Sequence, residues 1–277
     1  MKISAIPQLM RIENCAMAGL AVGIGFVVAG SSPRVFGLES SVLGLALAAI
    51  SAFLITGAGN TINDYYDRKA DKKNAPKRPI PSGAISAKTA FHVAMALFVV
   101  GIAMSFFINY NCLALAGLNS IVLFFYGRNL KSSVFVGNVA VSYLTASTFV
   151  YGALILGNPA TTVFLALLAF LANVGREIIG DVEDIKGDKK AKIKTFATRY
   201  GPKRSWLYGR LYILAAVLMS PVPYFAGLLG FYYITLVLVA DAIFIASIVT
   251  KNARMNQKLT KIAIFAGLVA FLAGAVA

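Results

Sequence analysis

Residues 38–73 read LESSVLGLALAAISAFLITGAGNTINDYYDRKADKK. The stretch 38–63 is mostly apolar, whereas 64–73 alone holds Asp64, Asp67 and Asp71 among four basic residues. A hydrocarbon layer of about 30 Å needs about 20 apolar residues in a helix. The stretch therefore predicts a spanning helix that emerges through a charged tip. A barrel strand is excluded, because the apolar run is continuous rather than alternating. The rest of the chain agrees. It has 277 residues, 58% hydrophobic and 13% charged, with a mean hydropathy of +0.76. A soluble domain is nearer 45–50% apolar and about a quarter charged. A single water-soluble globule and a disordered chain are both excluded, and two cysteines rule out a disulfide framework.

Eight more apolar stretches lie at 12–30, 88–108, 112–126, 134–156, 160–180, 205–223, 227–250 and 258–276. The expectation is an all-α integral membrane protein, one domain over 1–277, with nine transmembrane helices in a bundle. Gly157-Asn158-Pro159 and the Pro221/Pro223 pair mark tight turns. The net charge is +15, and its distribution sets the orientation. With the N-terminus inside, 25 of the 26 Lys and Arg residues, from Lys2 and Arg11 to Lys261, fall on the inner side. Only Arg34 falls outside, as the positive-inside rule requires. This predicts a multi-pass protein of the cell membrane with its C-terminus out. Residues 1–30 also have the outline of a secretory signal, with small residues near Ser31. Retention is expected, because Arg11 and Asn14 belong to the site developed below. Nine of the 11 acids lie at the inner side, the exceptions being Glu39 and Asp241.

The charged tip is repeated. Residues 60–73 align without gaps on 177–190, matching Asp64 with Asp181, Asp67 with Asp184 and Asp71 with Asp188. Lys69, Lys72 and Lys73 match Lys186, Lys189 and Lys190. Such an internal repeat predicts two related halves facing one another. On a helix, positions i, i+3 and i+7 fall within about 60°, so each segment presents a stripe of three carboxylates, with Asn63 at the margin of the first. Carboxylates packed this way repel and need opposing charge. Neighbouring lysines can supply it, as at any solvated helix end. So can Mg²⁺, which takes one or two carboxylates, keeps waters and shares its octahedron with substrate phosphates. The order of an EF-hand loop, a Walker A motif and a GxGxxG motif are all missing from the sequence. His92 is the only histidine, which removes a His-based metal site. Cys15 and Cys112 fall at opposite membrane faces and cannot pair. Asp241 lies deep in a span, where an acid is either functional or a helix-to-helix hydrogen-bond partner. Gly19, Gly23 and Gly25 predict close helix packing.

At this point the residues resemble the UbiA superfamily of intramembrane prenyltransferases. Asn63-Asp64-x-x-Asp67-x-x-x-Asp71 is similar to its first acidic motif and Asp181-x-x-Asp184-x-x-x-Asp188 to its second. Arg78-Pro79-Ile80-Pro81-Ser82-Gly83, Arg11 with Asn14, and Tyr126-x-x-x-Leu130-Lys131 extend the likeness. Length, Arg176-Glu177-Ile-Ile-Gly-Asp181-Val-Glu-Asp184 and Lys194-Thr195 are most similar to the archaeal branch that alkylates geranylgeranylglyceryl phosphate. Phe196-Ala197 departs from the Leu-Pro that follows this threonine in many relatives. The resemblance implies a prenyl diphosphate donor, a lipid-like acceptor and two Mg²⁺ ions. Asn63, Asp67, Asp71, Asp181, Asp184 and Asp188 would be the metal ligands, with Asp64 orienting a neighbour or a water. Arg78, Lys131 and Arg11, backed by Lys77, Arg128 and Lys186, would meet diphosphate or phosphate. Tyr65, Tyr66 and Tyr126 lie near the motifs, as interfacial aromatics or as rings that steady an allylic cation. The nearest alternative acceptor is 4-hydroxybenzoate or a quinone precursor. A cation transporter is the alternative of another class, but its acids belong near mid-membrane. Topology accounts for the basic loops, so no nucleic-acid partner is expected. Membrane lipids surround the chain, and its oligomeric state is not readable.

Overall fold

The computed structural model describes residues 5–30, 38–157, 159–191 and 193–276, without the side chains of 38–41, 74 and 191. Lys2, Ser31, Arg34, Asn158 and the Glu39 side chain thus lie outside the described residues. The chain is helical throughout: α1 (Ala5–Met10), α2 (Ile12–Gly30), α3 (Leu38–Asn74), α4 (Ala87–Phe106), α5 (Tyr110–Arg128), α6 (Val136–Leu154), α7 (Ala160–Ala191), α8 (Phe196–Tyr200), α9 (Pro202–Met219), α10 (Val222–Phe225), α11 (Phe231–Val249) and α12 (Ala253–Val276). A 3₁₀ turn, Leu130–Ser132, joins α5 to α6. Each of the nine apolar stretches falls on a long helix. Eight of these helices are long and apolar enough to cross a membrane. The remaining one, α6, has 19 residues but interleaves Asn138, Ser142, Thr145, Ser147 and Thr148 with its apolar positions. Much of this polar face is internal, with Ser142 and Ser147 buried.

Three features extend or correct the sequence reading. The 37 residues of α3 and 32 of α7 run unbroken through their acidic segments. At 1.5 Å per residue they reach about 55 and 48 Å, well beyond a hydrocarbon layer. Secondly, 205–223 is not one helix. Pro221 has no N–H to continue α9, and the chain restarts as α10. The break is sealed by polar contacts: the Tyr233 hydroxyl donates to the Ser220 carbonyl (2.5 Å) and Ser220 Oγ donates to Asp241 (2.6 Å). Asp241 is thereby a helix-to-helix hydrogen-bond partner. Thirdly, α1 precedes the first span and buries Ala5 and Leu9 against Ile85 and Ala90.

Around α3, α4 and α5 one apolar core forms, including Ile55, Phe98 and Cys112. Others join α7, α9, α11 and α12 through Ile179, Ile213, Phe244, Tyr233 and Phe271. Between these groups α2 packs on α3 and α6, and α6 packs on α7. The α2–α6 crossing is set by glycine. A Cβ on Gly25 would lie 2.0 Å from the Phe149 carbonyl oxygen, and one on Gly152 2.0 Å from that of Val22. Gly23, in contrast, faces open space. Cys15 and Cys112 are both free thiols.

Candidate active site

The acidic tips of α3 and α7 lie at one end of the bundle, with Tyr126 and Lys131 near both. The opposing charge on the first tip comes from other segments, not from its own lysines. Lys69, Lys72 and Lys73 are exposed and form no ion pair among the described residues. Arg11 Nη2 donates to Asp64 Oδ1 at 2.8 Å. It does so from a left-handed backbone (φ +53°) at the α1–α2 junction, a conformation costing a non-glycine residue about 1–2 kcal/mol. The junction is pinned, since the Met10 carbonyl accepts from Asn60 Nδ2 (2.7 Å) and from Cys15 Sγ (3.1 Å). Arg78, on the turn after α3, places Nη1 2.7 Å from Asp71 Oδ2 and 3.6 Å from Asp64 Oδ1. One guanidinium thus spans i and i+7, which puts these two carboxylates on one stripe. Burial opposes the Arg78 charge, but the hydrogen bond to Asp71 and the charges of Asp64, Asp71 and Asp67 outweigh it and raise its pKa.

Asp67 turns towards the 3₁₀ segment, where Lys131 Nζ lies 2.5 Å from its Oδ2. The end of α5 sits directly on α3, because a Cβ on Gly127 would be 3.2 Å from Asn63 Cα. Tyr126 is therefore held between the motifs, and the charges of Glu177, Asp67, Asp181 and Arg11 all reach its hydroxyl. The Lys131 charge likewise reaches Asp188. On α7, Asp181 Oδ2 accepts from Asn138 Nδ2 and from the Phe196 backbone N–H, both at 3.2 Å. That N–H is oriented by a capping box in which Thr195 and Thr198 bond reciprocally at the start of α8. Arg176 pairs with Glu177 and binds Asn173 Oδ1 (3.1 Å) and Gln257 Oε1 (3.2 Å). Asp184 is exposed and Asp188 half-buried.

Of the basic candidates, Arg11, Arg78 and Lys131 converge on the first motif. Lys77, Arg128 and Lys186 are exposed and take no ion pair among the described residues. Asn138, the Phe196 N–H and Gln257 were not among the sequence candidates. Asn138 left a signal, as a lone amide early in the apolar run 134–156; a backbone donor leaves none. The donor set suits a hard cation, being all oxygen. Asn63 Oδ1 is buried without a hydrogen-bond partner, an oxygen free for a ligand. No three acids already converge on a single metal position among the described residues. Mg²⁺ does not require that, since it takes one or two carboxylates and completes its shell with phosphate and water.

Below the tips lies a cavity of about 620 Å³ between α2, α3, α5, α6, α7 and α12. Its lining is chiefly apolar, including Ile24, Ile55, Phe149 and Leu268. Asn14 and Asn173 mark the end nearest the charged groups: Asn14 follows Arg11 by three residues, and Asn173 holds Arg176. Met17, Leu20 and Phe265 line it too yet are 67%, 68% and 68% exposed, so the cavity reaches the flank of the bundle between α2 and α12.

The UbiA prenyltransferase family model matches residues 17–274. The chain is similar to digeranylgeranylglyceryl phosphate synthase of Methanosarcina mazei, 42% identical over 279 residues and 96% of each chain. It is similar to that of Methanopyrus kandleri at 41% over 271 residues, covering 96% of this chain and 97% of the relative. A solved structure of digeranylgeranylglyceryl phosphate synthase superposes with a TM-score of 0.87 at 32% identity, covering 99% of both chains. A UbiA homologue from Archaeoglobus fulgidus, bound to GPP and Mg²⁺, shares the fold (TM-score 0.69, 20% identity, 96% of this chain and 99% of that one).

Proposed function

The chain belongs to the UbiA prenyltransferase family, and from that premise we infer the reaction. A geranylgeranyl group passes from its diphosphate to the glycerol hydroxyl of geranylgeranylglyceryl phosphate. This forms the second ether bond of archaeal membrane lipids and releases diphosphate. The observation that carries the reaction class is the convergence of Arg11, Arg78 and Lys131 on the first aspartate stripe, at the end of the bundle that also carries the second stripe and next to which an apolar cavity ends. The acceptor is supported by the names of relatives about 40% identical over nearly the whole chain.

Asn63, Asp67, Asp71, Asp181, Asp184 and Asp188 would hold two Mg²⁺ ions, a reading supported by the related structure bound to GPP and Mg²⁺. The chemistry supplied by Mg²⁺ held by these residues would be neutralisation of the departing diphosphate. The protein supplies the remainder. Arg11, Arg78 and Lys131, now paired with carboxylates, are within reach to turn to phosphate oxygens, with Lys77, Arg128 and Lys186 at the rim. Asp64 fixes Arg11 and Arg78. Tyr126 offers a ring face between the motifs to an allylic cation, and the apolar cavity shields that cation from water. The acceptor hydroxyl loses its proton as the C–O bond forms, so no strong general base is needed. The whole is one domain over 1–277 whose acidic motifs, 60–73 and 177–190, are repeats. Nine crossings, the N-terminus in, the C-terminus out and a site facing the cytoplasm follow from the sidedness of Lys and Arg.

The test uses purified protein in detergent with geranylgeranyl diphosphate and Mg²⁺. Diphosphate release is expected with geranylgeranylglyceryl phosphate and not with 4-hydroxybenzoate; the reverse result overturns the acceptor. Asp67→Ala and Asp184→Ala should each abolish turnover in a folded protein. Normal turnover in both would refute the metal assignment.

A further inference from the structure

A second opening lies at the same end of the bundle, outside the site just described. It is a groove of about 630 Å³ lined by Phe135, Ile178, Phe196, Tyr200, Arg204, Tyr208 and Tyr212. None of these residues lines the apolar cavity. Arg204, Tyr208 and Tyr212 follow one another at four-residue steps and so share a face of α9. Phe135 opens α6, Phe196 opens α8, and the fully buried Ile178 of α7 forms the floor. The rings pack on each other, with Phe196 4.9 Å from Tyr200 and 5.6 Å from Tyr208 between centroids.

Three observations say what this groove takes. Its flank is a lipid-facing one, because Leu207, Leu211 and Leu214 on the same helix are 55%, 49% and 40% exposed. Its walls include Tyr200 at the end of α8 and Tyr208 and Tyr212 on α9, and tyrosine is the residue that, with tryptophan, favours the boundary between hydrocarbon and head groups. Its one charged group is Arg204, which is exposed and has no hydrogen bond or ion pair among the described residues. No carboxylate lines the groove; Lys203 adjoins Arg204 in the sequence, and Arg199 precedes it by five residues.

We propose that the groove is a binding site for an anionic phospholipid of the surrounding bilayer. Its phosphate meets Arg204, and the first part of one chain lies against Phe135, Phe196, Tyr208 and Tyr212. The site is not isolated from the acidic motifs. The residue whose ring forms its wall, Phe196, is also the one whose N–H holds Asp181. A chain packed on Phe196 steadies that donor, so the bound lipid acts as a positioning element for the second motif.

The test needs no substrate and does not depend on the acceptor. Delipidated protein is incubated with phosphatidylglycerol or phosphatidylcholine of identical chains, and retained lipid is counted by native mass spectrometry. At least fivefold preference for phosphatidylglycerol is expected. Arg204→Gln should erase the preference, Lys203→Gln should keep it, and Tyr208→Ala should lower phosphatidylglycerol retention at least threefold. Equal retention of the two lipids by the unaltered protein would overturn the proposal. So would an equal loss in Lys203→Gln and Arg204→Gln, which would mark diffuse surface charge, or full retention in Tyr208→Ala. All three side chains are at least partly exposed, and unchanged melting of the variants confirms that they fold.

Discussion

Replacing Gly152 by alanine tests the packing that defines the cavity. The new Cβ would lie 2.0 Å from the Val22 carbonyl oxygen and 2.8 Å from the Phe26 nitrogen. Ordinary contact begins near 3.4 Å, so α2 and α6 must part by about 1.4 Å along that line. Overpacking costs about 1–3 kcal/mol. The upper end applies here, because the obstacles are backbone atoms that cannot rotate away. Alanine returns up to about 1 kcal/mol of helix propensity. The net loss is then about 2 kcal/mol, or about 4–8 °C in melting temperature for a chain of this size. Gly23→Ala is the matched control, since nothing lies within 4 Å of its Cβ. It should keep only the propensity gain and melt level with, or slightly above, the unaltered protein. Thermal unfolding in one detergent reads both variants. Because Phe149 and Tyr151 on α6 and Leu20 and Ile24 on α2 line the cavity, Gly152→Ala should also change the preferred donor chain length. If Gly152→Ala melts with Gly23→Ala, the close crossing of α2 and α6 is wrong.

Three further outcomes follow from single contacts. Arg11→Gly removes the left-handed strain but leaves the buried Asp64 with Arg78 alone, 3.6 Å away, so stability should fall by about 1–3 kcal/mol while turnover falls at least tenfold in a diphosphate-release assay. Thr195→Val breaks the capping box that aims the Phe196 N–H at Asp181; it should cost about 1 kcal/mol and lower turnover far more than that loss of stability explains. Asp241→Asn still accepts from Ser220 and should melt like the unaltered protein, whereas Asp241→Leu leaves that hydroxyl without its interhelical partner and should lose about 1–3 kcal/mol.

The parts of this structure that the sequence foretold are those governed by long-range apolar patterning and by charge spacing. Among the described residues the apolar runs fall on long helices, eight of them long and apolar enough to cross a membrane, and Asp64 and Asp71 stand on one stripe because seven residues make nearly two turns. What escaped was set by three-dimensional contact. Helix α1 is six residues long with a proline in it, too short to announce itself, and it forms because Leu9 finds Ile85 and Ala90. The rotational setting of α2 was equally hidden. Gly23 and Gly25 look alike on a helix apolar all round, yet one faces open space and the other a backbone. Arg11, Arg78 and Lys131 stand out in the sequence as candidates for phosphate contacts, and the structure pairs them with the first motif; no charged residue in the sequence marks the partners of the second motif. Its donors are an amide on α6 and a main-chain N–H, and neither carries the charge by which the others were recognised.

The glycine crossing of α2 and α6 also separates two things a protein of this kind must adjust independently. Helix spacing is fixed by backbone touching backbone at Gly25 and Gly152. The depth of the cavity is fixed by side chains such as Leu20, Ile24 and Leu268. Exchanging one of those for a larger or smaller residue alters the room for a chain without moving the frame. Descent with modification could thus lengthen or shorten the accepted substrate by single substitutions, each tested against an unchanged scaffold.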